Sequence, residues 1–188
     1  MHGPFARNPQ CQPQGNLAMQ ASTTKEAKLY MLSQADELLI AIILKNTKVT
    51  QAQVDQALAD CQQAKSEGRD LDLAHAILNR KWLSRAELYK LVKARNFALM
   101  RQEDKRIGRR AFRKGYITKT HLDEALAFQR QLFKALGDIK RLESILIDDG
   151  HITPEKVREI WAEYTSFLKR TGERPVEPKT DPSLLKHG

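Results

Sequence analysis

Four short segments of similar composition recur along the chain, at separations of 34, 34 and 35 residues. Each begins with a hydroxyl side chain that can accept the unpaired backbone N–H groups of a new helix. The four hydroxyl residues are Thr50, Ser84, Thr118 and Thr153. An apolar residue precedes each of them and another follows four positions later, which is the hydrophobic staple of a helix start. These pairs are Val49 and Val54, Leu83 and Leu88, Ile117 and Leu122, and Ile152 and Val157. The recurrence predicts four regularly spaced helix starts.

Neighbouring residues strengthen three of these predicted starts. Gln53 and Glu87 stand at the third helical position and complete capping boxes with Thr50 and Ser84. Pro154 stands at the first helical position, where the missing N–H of proline does no harm.

Aspartates upstream of the caps recur every 34 residues, at Asp36, Asp70, Asp104 and Asp138. Aspartate is a good N-cap, and about three turns of helically spaced apolar residues follow each one, so we expect each to begin a short helix. The repeating unit is then a short helix, a tight turn and a longer helix. The predicted fold class is all-α, with four tandem helix-turn-helix hairpins of about 34 residues packed into one domain over residues 24–168. The predicted repeats cover about 36–67, 70–101, 104–135 and 138–168. A period of 34 is also that of tetratricopeptide repeats, but the landmark residues of that family do not fall at its spacings here.

Composition sets further limits on this chain. Of its 188 residues 41% are hydrophobic, which is enough for a core. The longest apolar run, residues 38–44, is too short to span a bilayer, and the first residues do not resemble a secretory signal, so we expect a cytoplasmic protein. The 38–44 helix is apolar all round, which favours central burial and leaves homo-oligomerisation through it as an alternative. Residues 1–23 and 169–188 lack apolar periodicity and are predicted to be flexible tails.

Positive charge is concentrated in one segment. The net charge is +9, yet residues 80–114 alone hold thirteen Lys or Arg against three acidic residues. Helical spacing arranges part of this segment into two adjacent stripes. They are Arg101, Lys105, Arg109 and Arg113, and then Arg106, Arg110 and Lys114. The pattern is typical of a solvated helix face, or of a surface that binds an anionic partner such as nucleic acid.

The third unit carries a family resemblance. From Arg106 through Gly108, Gly115 and Ile117, and on through Leu122 and Leu126 to Gln129, it resembles the motif of the N-terminal domain of type II secretion and type IV pilus assembly ATPases. Ile107 and Ala111 are conservative replacements within that motif. The resemblance implies a helical fold, and it implies cyclic di-GMP as a ligand, since tandem copies of the motif can bind this bacterial second messenger.

The resemblance also implies the candidate ligand residues, which we list together. They are Arg106, Ile107, Gly108, Gly115, Ile117, Leu122, Leu126, Gln129 and Arg141. An arginine fork can pair with guanine O6 and N7, and a glycine allows close approach to a helix backbone. Ordinary packing is the alternative role of the apolar residues and of Gly108. In the fourth unit Arg141 matches, but Glu143 replaces the glycine and Tyr164 replaces the closing glutamine, so ligand binding is implied for one copy at most.

No catalytic motif, metal-ligand spacing or phosphate-binding loop was found, so we expect a non-enzymatic protein that requires no cofactor and has no metal site. The two cysteines do not form a disulfide framework. The function expected from the sequence is a bacterial regulatory or adaptor module that acts by protein–protein contact and is tuned by cyclic di-GMP through the third repeat. The alternatives are a nucleic-acid-binding protein that uses the basic 80–114 surface, and a structural subunit of a larger assembly.

Overall fold

The computed structural model describes residues 32–172, and all regular secondary structure within that range is helical. Its helices are α1 (Gln34–Asn46), α2 (Gln51–Ser66), α3 (Leu73–Asn79), α4 (Arg85–Arg113), α5 (Lys119–Leu136), α6 (Leu142–Asp148) and α7 (Pro154–Thr171). The predicted all-α fold class is confirmed for these residues.

The helix starts predicted from the hydroxyl recurrence are confirmed. The side chains of Thr50, Ser84, Thr118 and Thr153 each accept the backbone N–H of the residue three positions on, at the beginnings of α2, α4, α5 and α7. Gln53 and Glu87 complete their capping boxes, and Pro154 is the first residue of α7. These starts were predictable because a cap and its partner lie within one turn of sequence.

The four aspartates are not N-caps of their own helices, and that prediction was wrong. Ser33 caps α1, and Asp36 is the third residue of that helix. Asp72, and not Asp70, caps α3. Asp104 lies inside α4, and α6 begins at Leu142, beyond Asp138. At α1 and α3 another side-chain acceptor, Ser33 or Asp72, takes the N-cap position. At Asp104 no proline interrupts the preceding sequence, so α4 continues through this residue.

Helix α4 is the longest element, with 29 residues, and it crosses the predicted boundary between residues 101 and 104. At the rise of an α-helix it is about 43 Å long. The second predicted long helix and the third predicted short helix are therefore one continuous rod. Helices α1, α3, α5, α6 and α7 all pack against it.

The buried apolar side chains form two clusters. The first cluster draws on α1, α2, α3 and the first turns of α4, and the second draws on the last turns of α4 together with α5, α6 and α7. Leu39 and Ile43, in the apolar 38–44 segment, are completely buried in the first cluster. Central burial accounts for these two side chains.

The outer parts of the chain differ from the predicted boundaries where they are described. Helix α7 extends to Thr171, so the predicted tail at 169–188 begins inside a helix, and the remainder of that tail lies outside the described residues. The predicted tail at 1–23 and the domain start at 24 also lie outside them. No helix between residues 32 and 172 is long and apolar enough to cross a membrane.

Candidate functional site

The predicted ligand residues divide between the core and the surface. Ile107, Gly108, Ile117, Leu122 and Gln129 are buried, Leu126 and Arg141 are half-buried, and Arg106 and Gly115 are exposed. Gly115 adopts a left-handed conformation in the turn after α4, with φ of 71°. A glycine is favoured there by backbone conformation alone.

Gly108 lies where α4 is crossed by two neighbouring helices. A Cβ atom at this position would meet Leu122 Cδ1 of α5 at 2.4 Å and Leu142 Cδ2 of α6 at 2.8 Å. Two leucine side chains therefore occupy the space that the ligand hypothesis assigned to a base or a phosphate. Close helix packing explains this glycine.

Gln129 lies in a buried polar cluster and uses both ends of its amide there. Its Nε2 donates to Asp104 Oδ2 at 2.6 Å and to the Lys140 carbonyl at 2.9 Å, and its Oε1 accepts from Arg101 Nη1 at 3.1 Å. The side chain is 1% exposed. Arg106, by contrast, is exposed on α4. The structure does not bring Arg106 and Gln129 together in an open cleft.

Asp104 connects this cluster to the start of α6. Arg141 occupies the N-cap position of α6 and makes no side-chain capping bond, while Asp104 Oδ2 accepts the backbone N–H of Leu142 at 2.9 Å. Asp104 Oδ1 lies 3.0 Å from Arg141 Nε as an ion pair. Asp104 therefore supplies the capping carboxylate that α6 lacks in its own sequence.

Glu103 shares the same arginine. Both terminal nitrogens of Arg141 donate to Glu103 Oε2 at 3.1 Å. Burial raises the pKa of the Glu103 carboxyl, and hydrogen bonds from Arg141 oppose that shift without cancelling it. Burial likewise raises the pKa of Asp104, against the attraction of Arg141. Two buried carboxyls face one guanidinium, which makes this cluster a structural ion-pair network.

Glu143, which replaces the motif glycine in the fourth unit, also has a packing role. Its Oε2 accepts the indole N–H of Trp161 at 2.6 Å. The Arg141 guanidinium stacks over the same indole, with its central carbon 5.2 Å from the ring centroid. The three side chains tie α6 to α7.

Part of the basic segment serves the fold rather than the surface. Arg101 Nη1 donates to the Leu126 carbonyl at 2.6 Å. The Arg110 guanidinium lies over Tyr164, 4.7 Å from the ring centroid. Lys114 Nζ bridges to two glutamates of α7 at 3.0 and 2.8 Å. These three cations fasten α4 to α5 and α7.

The other basic residues of the two stripes remain on the surface. Lys105, Arg109 and Arg113 are exposed at four-residue intervals on one face of α4, and they form no ion pair with the described part of the chain. Arg106 is exposed beside them. We call Lys105, Arg106, Arg109 and Arg113 the α4 basic stripe.

A groove lies at the other end of α4, between the α1–α2 turn and the start of α4. Its volume is about 680 Å³. Its apolar lining consists of Val49, Leu83 and Leu91, with the half-buried Trp82 at one side. This size lies within the range of sites that hold a small ligand or an anchoring side chain. We call it the α1–α4 groove.

Most polar groups of the α1–α4 groove are already hydrogen-bonded within the protein. Glu87 Oε2 accepts from the Ser84 backbone N–H at 2.9 Å and from its hydroxyl at 2.6 Å, and these bonds lower the Glu87 pKa. Asn46 Nδ2 donates to a carbonyl of α1 at 2.7 Å. Lys48 and Lys90 line the groove, are exposed, and form no ion pair with residues 32–172. The groove therefore offers an apolar floor and two exposed ammonium groups that form no ion pair, with Glu87 near Lys90.

The sequence analysis did not single out this groove. Its apolar residues were assigned to hydrophobic staples and core, and Lys48 lies outside the basic segment. The available signal was Trp82, a large aromatic residue two positions before the helix cap Ser84.

Comparisons with protein-family models, with curated proteins and with solved structures found no match to this chain. Within residues 32–172 no group of three or more His, Cys, Asp or Glu side chains is placed to hold a metal ion.

Proposed function

We propose that this protein is a non-enzymatic adaptor of the bacterial cytoplasm, which acts by binding a partner protein in the α1–α4 groove. The observation that carries the proposal is the groove itself, an accessible apolar depression whose two lysines form no ion pair with the rest of the described chain. Exposed apolar concavities rimmed by polar groups are typical of interaction sites.

The fold supports this role by holding the groove rigidly. The groove walls are helix termini fixed by the capping boxes of Thr50 and Ser84, and the buried cluster of α1, α2 and α3 lies behind them. We also infer that the domain consists of four helix-turn-helix units, of which the second and third are fused through α4. In that arrangement the groove lies at the turn ends of the first two units.

The experiment is site-specific photo-crosslinking with the full chain in native lysate. A benzophenone amino acid at position 46, exposed on the groove rim, should capture a discrete partner that mass spectrometry identifies. The same amino acid at position 119, exposed at the start of α5, is the matched control. The Lys90→Glu substitution should reduce capture from position 46. Equal capture from positions 46 and 119 would contradict the proposal.

A second candidate function is nucleic-acid binding, favoured by the exposed row of Lys105, Arg109 and Arg113 on one helix face. Phosphate contacts release counterions, so binding through this row should weaken steeply with salt, with a log–log slope of about −3 for three phosphates. Fluorescence anisotropy with labelled DNA and RNA would measure the slope. The paired substitutions Lys105→Glu and Arg109→Glu should remove binding, while no binding at low salt in the wild type would exclude this function.

Cyclic di-GMP sensing receives the least support from the geometry. Two leucines fill the space at Gly108, and the Gln129 amide is hydrogen-bonded within the core. Calorimetry with cyclic di-GMP on the wild type and on Arg106→Ala tests the hypothesis directly. Saturable heat that is lost in the variant would support it, and absence of heat at high micromolar protein would exclude it.

A further inference from the structure

We propose that the α1–α4 groove binds an acidic peptide segment of the partner, anchored by one aromatic or large aliphatic side chain. This inference rests on the proposed adaptor function and adds the chemistry of the partner. Two observations support it: the residues that line the groove, and the contacts made at the corresponding positions in the second half of the chain.

The apolar part of the groove fits a single anchoring side chain. Val49 and Leu83 are buried at its base, and Leu91 and Trp82 are half-buried at its sides. The Trp82 indole N–H donates no hydrogen bond to the described residues. An aromatic or aliphatic side chain that covered this lining would remove apolar surface from water, which supplies affinity at about 25 cal/mol for each Å² buried.

The charged part of the groove selects for acidic neighbours of that anchor. Lys48 and Lys90 are its cations, and Glu87 is its only acidic lining residue. Glu87 Oε2 is hydrogen-bonded to Ser84, and Glu87 forms no ion pair with either lysine, although its charge does attract Lys90. The three charged side chains of the lining therefore sum to a net charge of +1. Carboxylates on either side of the anchor would form charge-assisted hydrogen bonds with the two ammonium groups.

The second half of the chain shows which groups close the equivalent surface. Counted from the helix caps, Tyr116 stands two residues before Thr118, as Lys48 stands before Thr50. Glu159 stands six residues after Thr153, as Lys90 stands after Ser84.

There the Tyr116 hydroxyl donates to Glu159 Oε2 at 2.7 Å, and Lys114 Nζ lies 3.0 Å from Glu159 Oε1. The rings of His121 and His151, at the positions of Gln53 and Trp82, stack with centroids 3.8 Å apart. In the second half an aromatic hydroxyl and a carboxylate thus bond to each other beside the helix starts. In the first half both corresponding positions are lysine, so this pair is missing there, and an aromatic group flanked by carboxylates from another molecule would complement the two lysines.

The chain's own termini do not supply this chemistry. Residues 1–31 hold three basic residues and one acidic residue, and residues 173–188 hold three of each. Neither segment carries the net negative charge that two lysines would select. A partner protein is therefore the proposed occupant.

The test uses the full chain with Trp161→Phe, which leaves Trp82 as its single tryptophan. The probe is a short synthetic peptide with one Phe inside a run of Asp and Glu. Its two controls replace the Phe by Ser, or the acidic residues by Lys. We expect saturable quenching or a shift of Trp82 emission with the probe, much weaker binding of the Ser control, and none of the Lys control.

Charge reversal provides the matched variants. Lys48→Glu with Lys90→Glu should weaken probe binding by roughly tenfold, since two ion pairs to exposed lysines are together worth about one power of ten. Lys105→Glu with Arg109→Glu changes the charge equally on the α4 basic stripe and should leave binding unchanged. Circular dichroism verifies that both variants fold.

Several results would overturn the inference. These are no response to the probe, equal binding of the Ser control, unchanged binding in the groove variant, or equally tight binding of a peptide of residues 173–188. Crosslinking from position 46 without probe binding would overturn the acidic-peptide inference and leave the adaptor function standing. Loss of both would overturn both.

Discussion

At the scale of single residues, the carboxylate of Asp104 stabilises the start of a helix to which it does not belong. It accepts the backbone N–H of Leu142, because Arg141 at the N-cap position of α6 has no acceptor to offer. In α3, by comparison, Asp72 caps its own helix through the backbone N–H of His75. The starts of α3 and α6 are therefore capped differently. An aspartate at its own N-cap position caps α3, whereas an aspartate of α4 caps α6.

The neighbouring Glu103 makes stability depend on pH in an unusual direction. Burial raises its pKa in the folded state, with Asp104 and Glu143 adding repulsion and Arg141 opposing the shift. The folded protein then binds the proton more tightly than the unfolded chain. The contribution of this carboxyl is present below its unfolded pKa, about 4, and is lost as pH rises through the raised folded value.

Urea unfolding of the wild type and of Glu103→Gln at several pH values measures this contribution. The stability of the wild type relative to the variant should fall as pH rises from about 4 toward neutrality. Glu124→Gln, at an exposed position of α5, should show no such trend. A relative stability that rises with pH would show that the pKa of Glu103 is lowered on folding.

Lys81 is the one non-glycine residue with positive φ between residues 32 and 172, at 57°. It stands three residues before the cap Ser84, where the turns before Thr118 and Thr153 have Gly115 and Gly150. Lys81→Gly should therefore stabilise the protein by about 1 kcal/mol, by removing left-handed strain. Lys81→Ala keeps a Cβ and should give no gain. Thermal unfolding of the wild type and the two variants measures these differences. Equal stability of Lys81→Gly and Lys81→Ala would contradict the strain argument.

At this scale the sequence identified the unusual residues of the motif, but it did not predict which groups surround them in the fold. The motif residues Gln129 and Gly108 were visible, but whether they face a ligand or the core depends on partners far away in the sequence. Asp104, Arg101 and the Lys140 carbonyl complete the hydrogen bonding of Gln129, and Leu122 and Leu142 fill the space at Gly108. Local spacing carries no information about such contacts.

At the scale of elements, the predicted starts of α2, α4, α5 and α7 hold, and the predicted break before residue 104 does not. Caps and staples are signals contained within a single helical turn. Continuation through residues 101–104 instead follows from the absence of a proline, and from packing of both halves of α4 against other helices. The 34-residue aspartate recurrence suggested a helix start at Asp104, where the structure uses the carboxylate as a partner for α6.

The crossing of α4 with α5 and α6 depends on Gly108 having no side chain. Gly108→Ala would place a methyl group 2.4 Å from Leu122 Cδ1, and overpacking of this kind outweighs the better helix propensity of alanine. We expect a loss of about 1 to 2 kcal/mol in the free energy of unfolding. Chemical denaturation measures it.

A second substitution distinguishes steric overpacking from other causes. In a Leu122→Ala background the nearest clashing atom is gone and only Leu142 Cδ2, at 2.8 Å, still opposes the new methyl group, so Gly108→Ala should cost less than in the wild type. An equal cost in both backgrounds would mean that the close approach of α4 to α5 is not the reason for the glycine.

At the scale of the whole molecule, the two halves have the same type of cap at their helix starts but different side chains on the surface beside those starts. The second half closes its turn end with the Tyr116–Glu159 bond and the His121–His151 stack. The first half leaves the α1–α4 groove, with Lys48 and Lys90 at the corresponding positions. The shared helix caps follow from local sequence. The difference between the two surfaces depends on side chains that are distant in sequence and meet only in the fold. This is why the groove was not predicted.

The two buried clusters should nevertheless unfold as one unit, because α4 contributes side chains to both of them. Trp82 packs against the first cluster and Trp161 against the second, so each half carries its own fluorophore. In each single-tryptophan variant, Trp161→Phe or Trp82→Phe, the tryptophan emission should change at the same denaturant concentration as the far-ultraviolet circular dichroism of that same variant, as two-state unfolding requires.

Core substitutions make this test of cooperativity decisive. Ile77→Ala in the first cluster and Leu146→Ala in the second each remove a buried aliphatic side chain and should destabilise the protein by about 2 to 5 kcal/mol. If α4 couples the halves, either substitution lowers the midpoint reported by both tryptophans equally. If Ile77→Ala shifts only the Trp82 signal and Leu146→Ala only the Trp161 signal, the halves unfold independently. In that case α4 would connect two separately stable units without transmitting stability between them.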